Sequence, residues 1–145
     1  MVRLPHTDAQ LIGRDGARLL LEHDDQPTAV LCFSDAIAVG FINAMQDSGR
    51  TVPDDISVVG FDDNPIATTT RPALTTVHQD SRAKGRAAAE LLITALDRAD
   101  ATPSKRARHL TLPTELVVRD STATPRAAAT TSDGSGRPGG AVKPV

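Results

Sequence analysis

Aromatic residues are scarce in this 145-residue chain, which has three phenylalanines and neither tryptophan nor tyrosine. Pockets for sugars and nucleobases usually recruit aromatic faces, so the chain alone is poorly equipped to enclose such a ligand. It has one cysteine, Cys32, inside the apolar run "AVLCF". That excludes an internal disulfide framework and favours a buried thiol acting as a small hydrophobe. No apolar run approaches the roughly 20 residues of a membrane span, and the opening "MVRLPHTDAQ" lacks the apolar stretch of a signal peptide. Net charge is −2, so no global positive field would hold the chain on nucleic acid or an anionic membrane. Four histidines with no shared spacing argue against a metal site. There is no Gly-rich phosphate loop, Ser/His/Asp arrangement or nucleophile elbow. The expectation is a soluble, cytoplasmic, non-enzymatic chain without metal or cofactor.

The length suits one ordinary domain, and 39% hydrophobic residues are compatible with a packed core. Residues 8–23 place Leu11, Ile12, Leu19 and Leu20 near helical period, in a helix weakened by Gly13 and Gly16. The run "PTAVLCF" (27–33) is continuously apolar and β-favouring, the pattern of a strand covered on both faces. Residues 34–49 return to helical period, with Ser34 as N-cap and Gly49 as C-cap. "ISVVGF" is a second buried strand, so the order is strand, helix, strand: a βαβ unit with a parallel sheet. A loop with Pro65 and Pro72 leads to the extended "LTTVHQ" (74–79), a helix over 80–99, and two extended pieces, "RHLTLP" and "TELVVR", over 108–119. From Ser121 onward the Ala/Thr/Gly/Pro/Ser composition reads as a disordered tail, because it cannot bury enough surface to offset chain entropy.

Both strands of the βαβ unit end in polar residues. Phe33 gives way to Ser34 and Asp35, and Phe61 to Asp62 and Asp63. In open parallel α/β sheets ligands bind at the carboxyl ends of strands, and an ionised carboxylate there suits a ligand with several hydroxyls or N–H groups. Structural roles compete at each position: helix-dipole complement for Asp35, N-cap for Ser34, turn formation for Asp62 and Asp63. Strand alternation turns Asp62 toward the cleft and leaves Asp63 to cap the turn at Asn64-Pro65. Lys105, Arg106 and Arg108 read as a solvated loop rather than a phosphate site.

The string "PTAV…SD…A.G", "VP.DISVVGFDD", "P.LTTV.QD", "GRAAAELL" and "LPTELVVRDST", spread over roughly residues 7–122, resembles the C-terminal part of the LacI/GalR family of bacterial transcription regulators. The resemblance implies a partial periplasmic-binding-protein-like (type I) α/β fold, a parallel sheet with flanking helices, incomplete at the N-terminus. Residues 1–79 would belong to the C-terminal effector-binding lobe. Residues 80–112 would form a crossover helix and strand packed on the other lobe, 113–121 a return strand, and 122–145 the tail. It further implies a sugar-like effector, a homodimer, and operator DNA reached only through a helix-turn-helix absent from this chain. By position Asp62 would hydrogen-bond the effector, Gln79 and Ser81 would touch it at the crossover, and Ser34, Asp35 and His6 would complete the site. Ser34 stands where many members have Asn, and His6 where they often place a stacking aromatic. Family members are longer, so the chain reads as a truncated product, a misplaced start or half of a split regulator. Two rivals remain: a solute-binding protein of a sugar ABC transporter, which shares the cleft, and an enzyme using Asp62 or Asp63 as nucleophile or base.

Overall fold

The computed structural model describes residues 8–24, 26–97 and 109–125. Helix α1 spans Ala9–Leu21, capped by the Asp8 carboxylate, which accepts from the Gln10 and Leu11 amides. Strand β1 (Ala29–Leu31) follows, then α2 (Asp35–Asp47), β2 (Ser57–Asp62), the single-turn α3 (Ile66–Thr69), β3 (Thr75–Gln79), α4 (Ser81–Asp97) and β4 (Thr114–Val117). Helix α2 ends as its sequence demands. The Gly49 amide bonds the Gln46 carbonyl and the Arg50 amide that of Met45, closing a Schellman turn for which Gly49 takes φ 82°.

The strands form one sheet in the order β1-β2-β3-β4. The first three are parallel, as expected, but β4 runs antiparallel to β3, with Val77 opposite Leu116 and Gln79 opposite Thr114. The sheet is therefore mixed. Registered partners share a face. Val30 and Val58 are one such pair, and they pack into a core with Ile42, Met45, Phe41 and Leu74 from α2 and the approach to β3. Ile42, Met45, Leu74 and Val58 are closed to solvent, each contributing about 1.5–3 kcal/mol of burial.

Several expectations differ from the structure. Strand β1 is not covered on both faces: Leu31 is 69% and Phe33 92% exposed, and within β1 only Val30 packs against the core. Gly13 is a packing device rather than a weak point in α1. A Cβ there would strike the Ile37 carbonyl, and one on Gly40 the Gln10 carbonyl, so the two glycines let α1 and α2 cross with their backbones in contact. Residues 121–123, where the tail was expected to begin, are tied to the sheet, and residues 126–145 of that tail lie outside the described residues. Ser121 is fully buried; its Oγ donates to the Val58 carbonyl and accepts from the Thr75 amide. Thr122 Oγ1 meets Thr75 Oγ1, and Ala123 exchanges hydrogen bonds with Ser57 Oγ. Composition missed this because hydroxyls tying down backbone groups stand in for apolar area. The loop expected around Pro65 holds the short α3. Residues 109–113 of the first extended piece lie in no strand. Helix α4 buries none of its residues, leaving Leu92, Ile93 and Leu96 exposed.

Candidate functional site

The carboxyl ends of β1, β2 and β3 lie side by side, and the polar residues beyond them are organised at two centres of buried or half-buried carboxylates. The first is Asp35, 0% exposed. Its Oδ1 accepts from Thr76 Oγ1 at 2.5 Å and its Oδ2 from the Asn64 amide at 2.6 Å. One side chain at the start of α2 thus fastens the loop after β2 and the middle of β3. Gly60 makes room for it, since a Cβ at that position would collide with Asp35 Oδ1. Asp35 is accordingly enclosed, with both oxygens engaged. Ser34 is the N-cap of α2, its Oγ accepting from the Ile37 amide at 3.3 Å.

The second centre is the pair Asp62-Asp63, whose backbones take φ 109° and 56°. Left-handed conformations are uncommon for residues other than glycine, and aspartate is among the few that tolerate them. The turn undoes strand alternation. Asp62 stands opposite His78 in the ladder, yet its Oδ1 accepts from Gln79 Nε2 at 2.6 Å, and His78 instead meets Asp63 Oδ2 through Nδ1 at 3.1 Å. Asp63 Oδ1 accepts from Arg119 Nη2 at 2.6 Å. That hydrogen bond, with the Arg119 charge and His78 adding to it against partial desolvation, holds the Asp63 carboxyl below the usual carboxylate range. Asp63 therefore does not cap the turn at Asn64, as alternation suggested. Asp35 supplies that contact.

Of the residues expected at the site, the structure brings together Asp62 and Gln79. Gln79 Oε1 also accepts from Lys84 Nζ at 3.3 Å. No described side chain bonds the second Asp62 oxygen. Ser81 is exposed as the first residue of α4; the preceding Asp80 accepts from the Ala83 amide at 2.9 Å, which draws its carboxyl down. Among the described residues, Ser34 and Ser81 bond neither Asp62 nor Gln79. His6, Lys105, Arg106 and Arg108 lie outside the described residues. Sequence reasoning missed Thr76, Arg119 and Ser121. Arg119 and Ser121 were in view within "LPTELVVRDST", but nothing local to that string shows that the chain returns beside Asp63. No group of three or more His, Cys, Asp or Glu that could hold a metal occurs among the described residues, and none of their helices is long and apolar enough to cross a membrane.

The fold agrees with comparison to known proteins. The model of the periplasmic binding protein-like domain matches residues 3–122. The chain belongs to that family, in its LacI/GalR regulator branch. It is 44% identical over 111 residues to the HTH-type transcriptional regulator MalR of Streptomyces coelicolor, which is 77% of this chain and 30% of that protein. A LacI family transcriptional regulator from Arthrobacter sp. FB24, solved in complex with lactose, is 36% identical with a TM-score of 0.65, over 81% of this chain and 42% of that one. The lac repressor dimer, solved bound to operator and the anti-inducer ONPF, is 34% identical with a TM-score of 0.66, over 77% of this chain and 37% of that one. The chain thus spans less than half the length of these relatives.

Proposed function

We propose that this chain carries part of the effector site of a LacI/GalR regulator and binds a polyhydroxylated small molecule, of the sugar class, beyond the carboxyl ends of β1–β3. The observation that carries the reading is the Asp62 carboxylate. It is half-buried at the end of a parallel strand, has one oxygen committed to Gln79, and offers the other to a ligand hydroxyl. Gln79 is the second contact, with Ser34 and Ser81 at the margin. Asp35 serves from behind, by fixing the turn. The assembly is a homodimer, and operator DNA is reached through a helix-turn-helix outside this chain. No catalytic step is assigned. The regulator reading is favoured over a transporter's solute-binding protein because the named relatives are transcriptional repressors and regulators.

Ligand-observed saturation-transfer NMR with a panel of mono- and disaccharides, lactose and cellobiose included, tests this on the 145-residue chain and on Asp62→Asn. A charge-assisted hydrogen bond of about 1.5–3 kcal/mol corresponds to roughly ten- to a hundredfold in affinity. Transfer to a responding sugar should therefore vanish in the variant. Equal transfer from both proteins to a responding sugar would remove Asp62 from the role of effector ligand.

A further inference from the structure

We propose that Arg119 is the positioning residue of this site: its guanidinium holds Asp63 in the left-handed conformation and so sets the direction of the neighbouring Asp62 carboxylate. The inference rests on the effector reading for its purpose, though not for its test. Arg119 lies just beyond β4, and its side chain is 18% exposed. It is fixed at three points. Its amide donates to Thr75 Oγ1 at 2.9 Å, Nη1 donates to the Leu74 carbonyl at 2.8 Å, and Nη2 donates to Asp63 Oδ1 at 2.6 Å. The two guanidinium bonds leave on different prongs, one anchored in the backbone at the start of β3 and one gripping the turn. A lysine has the charge but not that rigid fork.

What the fork holds is a conformation that does not hold itself. Two consecutive non-glycine residues at positive φ are each disfavoured, and such geometry persists where surrounding contacts over-determine it. The contacts here are few: Arg119 and His78 on Asp63, Gln79 on Asp62, and Asp35 on the Asn64 amide. His78 is half exposed at 48%, which leaves Arg119 as the firm anchor. If the Asp63 turn relaxes to φ below zero, the Asp62 carboxylate swings away from Gln79 Nε2.

The test needs no effector. In ¹⁵N-resolved NMR spectra of the full chain, the Gln79 side-chain amide and the Asn64 backbone amide report the turn, while Ile42 and other α2 amides report the fold. In Arg119→Met the Gln79 amide protons should move to the shifts of a solvated glutamine. Exchange at Asn64 should quicken roughly ten- to a hundredfold, as loss of a charged hydrogen bond implies, with α2 amides unchanged. Arg119→Lys should behave like Arg119→Met. Should Arg119→Met fail to fold, Asp63→Ser, which removes the gripped carboxylate, carries the same expectation. Wild-type Gln79 shifts and Asn64 protection in a folded variant of either kind would overturn the assignment, whatever sugar titrations of Asp62→Asn return.

Discussion

Replacing Asp35 with alanine removes the acceptor for two donors, and the two losses are unequal. The Thr76 hydroxyl belongs to a residue that is 0% exposed; without Asp35 Oδ1 it is left unpaired in the core, at about 1–3 kcal/mol. The Asn64 amide belongs to an exposed residue, so water can recover much of its bond and about 1 kcal/mol is the fair charge. Together Asp35→Ala should cost about 2–4 kcal/mol, a large share of the roughly 5–15 kcal/mol that domains possess. Asp35→Asn is the discriminating partner. Its Oδ1 can accept from the Asn64 amide while its Nδ2 donates to Thr76, whose hydroxyl accepts as readily as it donates. It should therefore lose no more than about 1 kcal/mol. Because the chain lacks tryptophan and tyrosine, unfolding in urea is best followed by far-UV circular dichroism, with the slope of the transition checked for constancy. An alanine variant within about 1 kcal/mol of wild type, or an asparagine variant as damaged as the alanine one, would refute the bridging role.

Glycine positions give a contrast in sign. Gly40→Ala should destabilise by about 1–3 kcal/mol, since its Cβ meets the Gln10 backbone, which cannot yield cheaply. Gly16→Ala, with open space around it, should stabilise by about 0.4–1 kcal/mol, and thermal melts that rank the two the other way would refute the crossing. Asp63 has its carboxyl pulled down in the folded state, chiefly by Arg119. Its contribution is present above the unfolded value of about 4 and is lost as pH falls through the folded one. Urea midpoints measured between about pH 5 and 3 should thus fall less steeply in Arg119→Met than in wild type, and parallel curves would count against the ion pair. Burial pushes the Cys32 thiol up to about 11, so Ellman's reagent at about pH 8 should label it only on unfolding; prompt labelling of native protein would place it at the surface.

Much of the fold is legible in the sequence because its signals are local. Ser34 and Gly49 mark the ends of α2, and continuous apolar runs mark β2 and the position of β1. What is not legible depends on residues distant in the chain. That Gly13 faces α2, and that β1 buries one face only, follow from where helices settle, not from the run "AVLCF" itself. Ser121 reads as tail by composition, yet each of its oxygens serves a backbone group more than forty residues away in sequence. The site divides the same way. The carboxylates at the ends of β1 and β2 were visible as chemistry, and Gln79 through family resemblance, but their pairing was not.

The departure of Asp63 from the capping role that alternation assigns it has a single physical source. Alternation is a property of extended backbone, and it ends at the first residue with positive φ. From Asp62 on, the chain no longer assigns odd and even residues to opposite faces. The carboxylate expected at the turn reaches Arg119 and His78, while its neighbour reaches Gln79. This also explains why both positions hold aspartate rather than the longer glutamate. Aspartate is among the few side chains that accept the left-handed region, and its short stem keeps the carboxylate within reach of partners on the adjacent strand. The acid thus serves backbone conformation and charge at once. Gln79 stands where the chain leaves the sheet for α4, and Arg119 where it has returned through β4. The excursion from the sheet therefore begins and ends on these two neighbouring carboxylates.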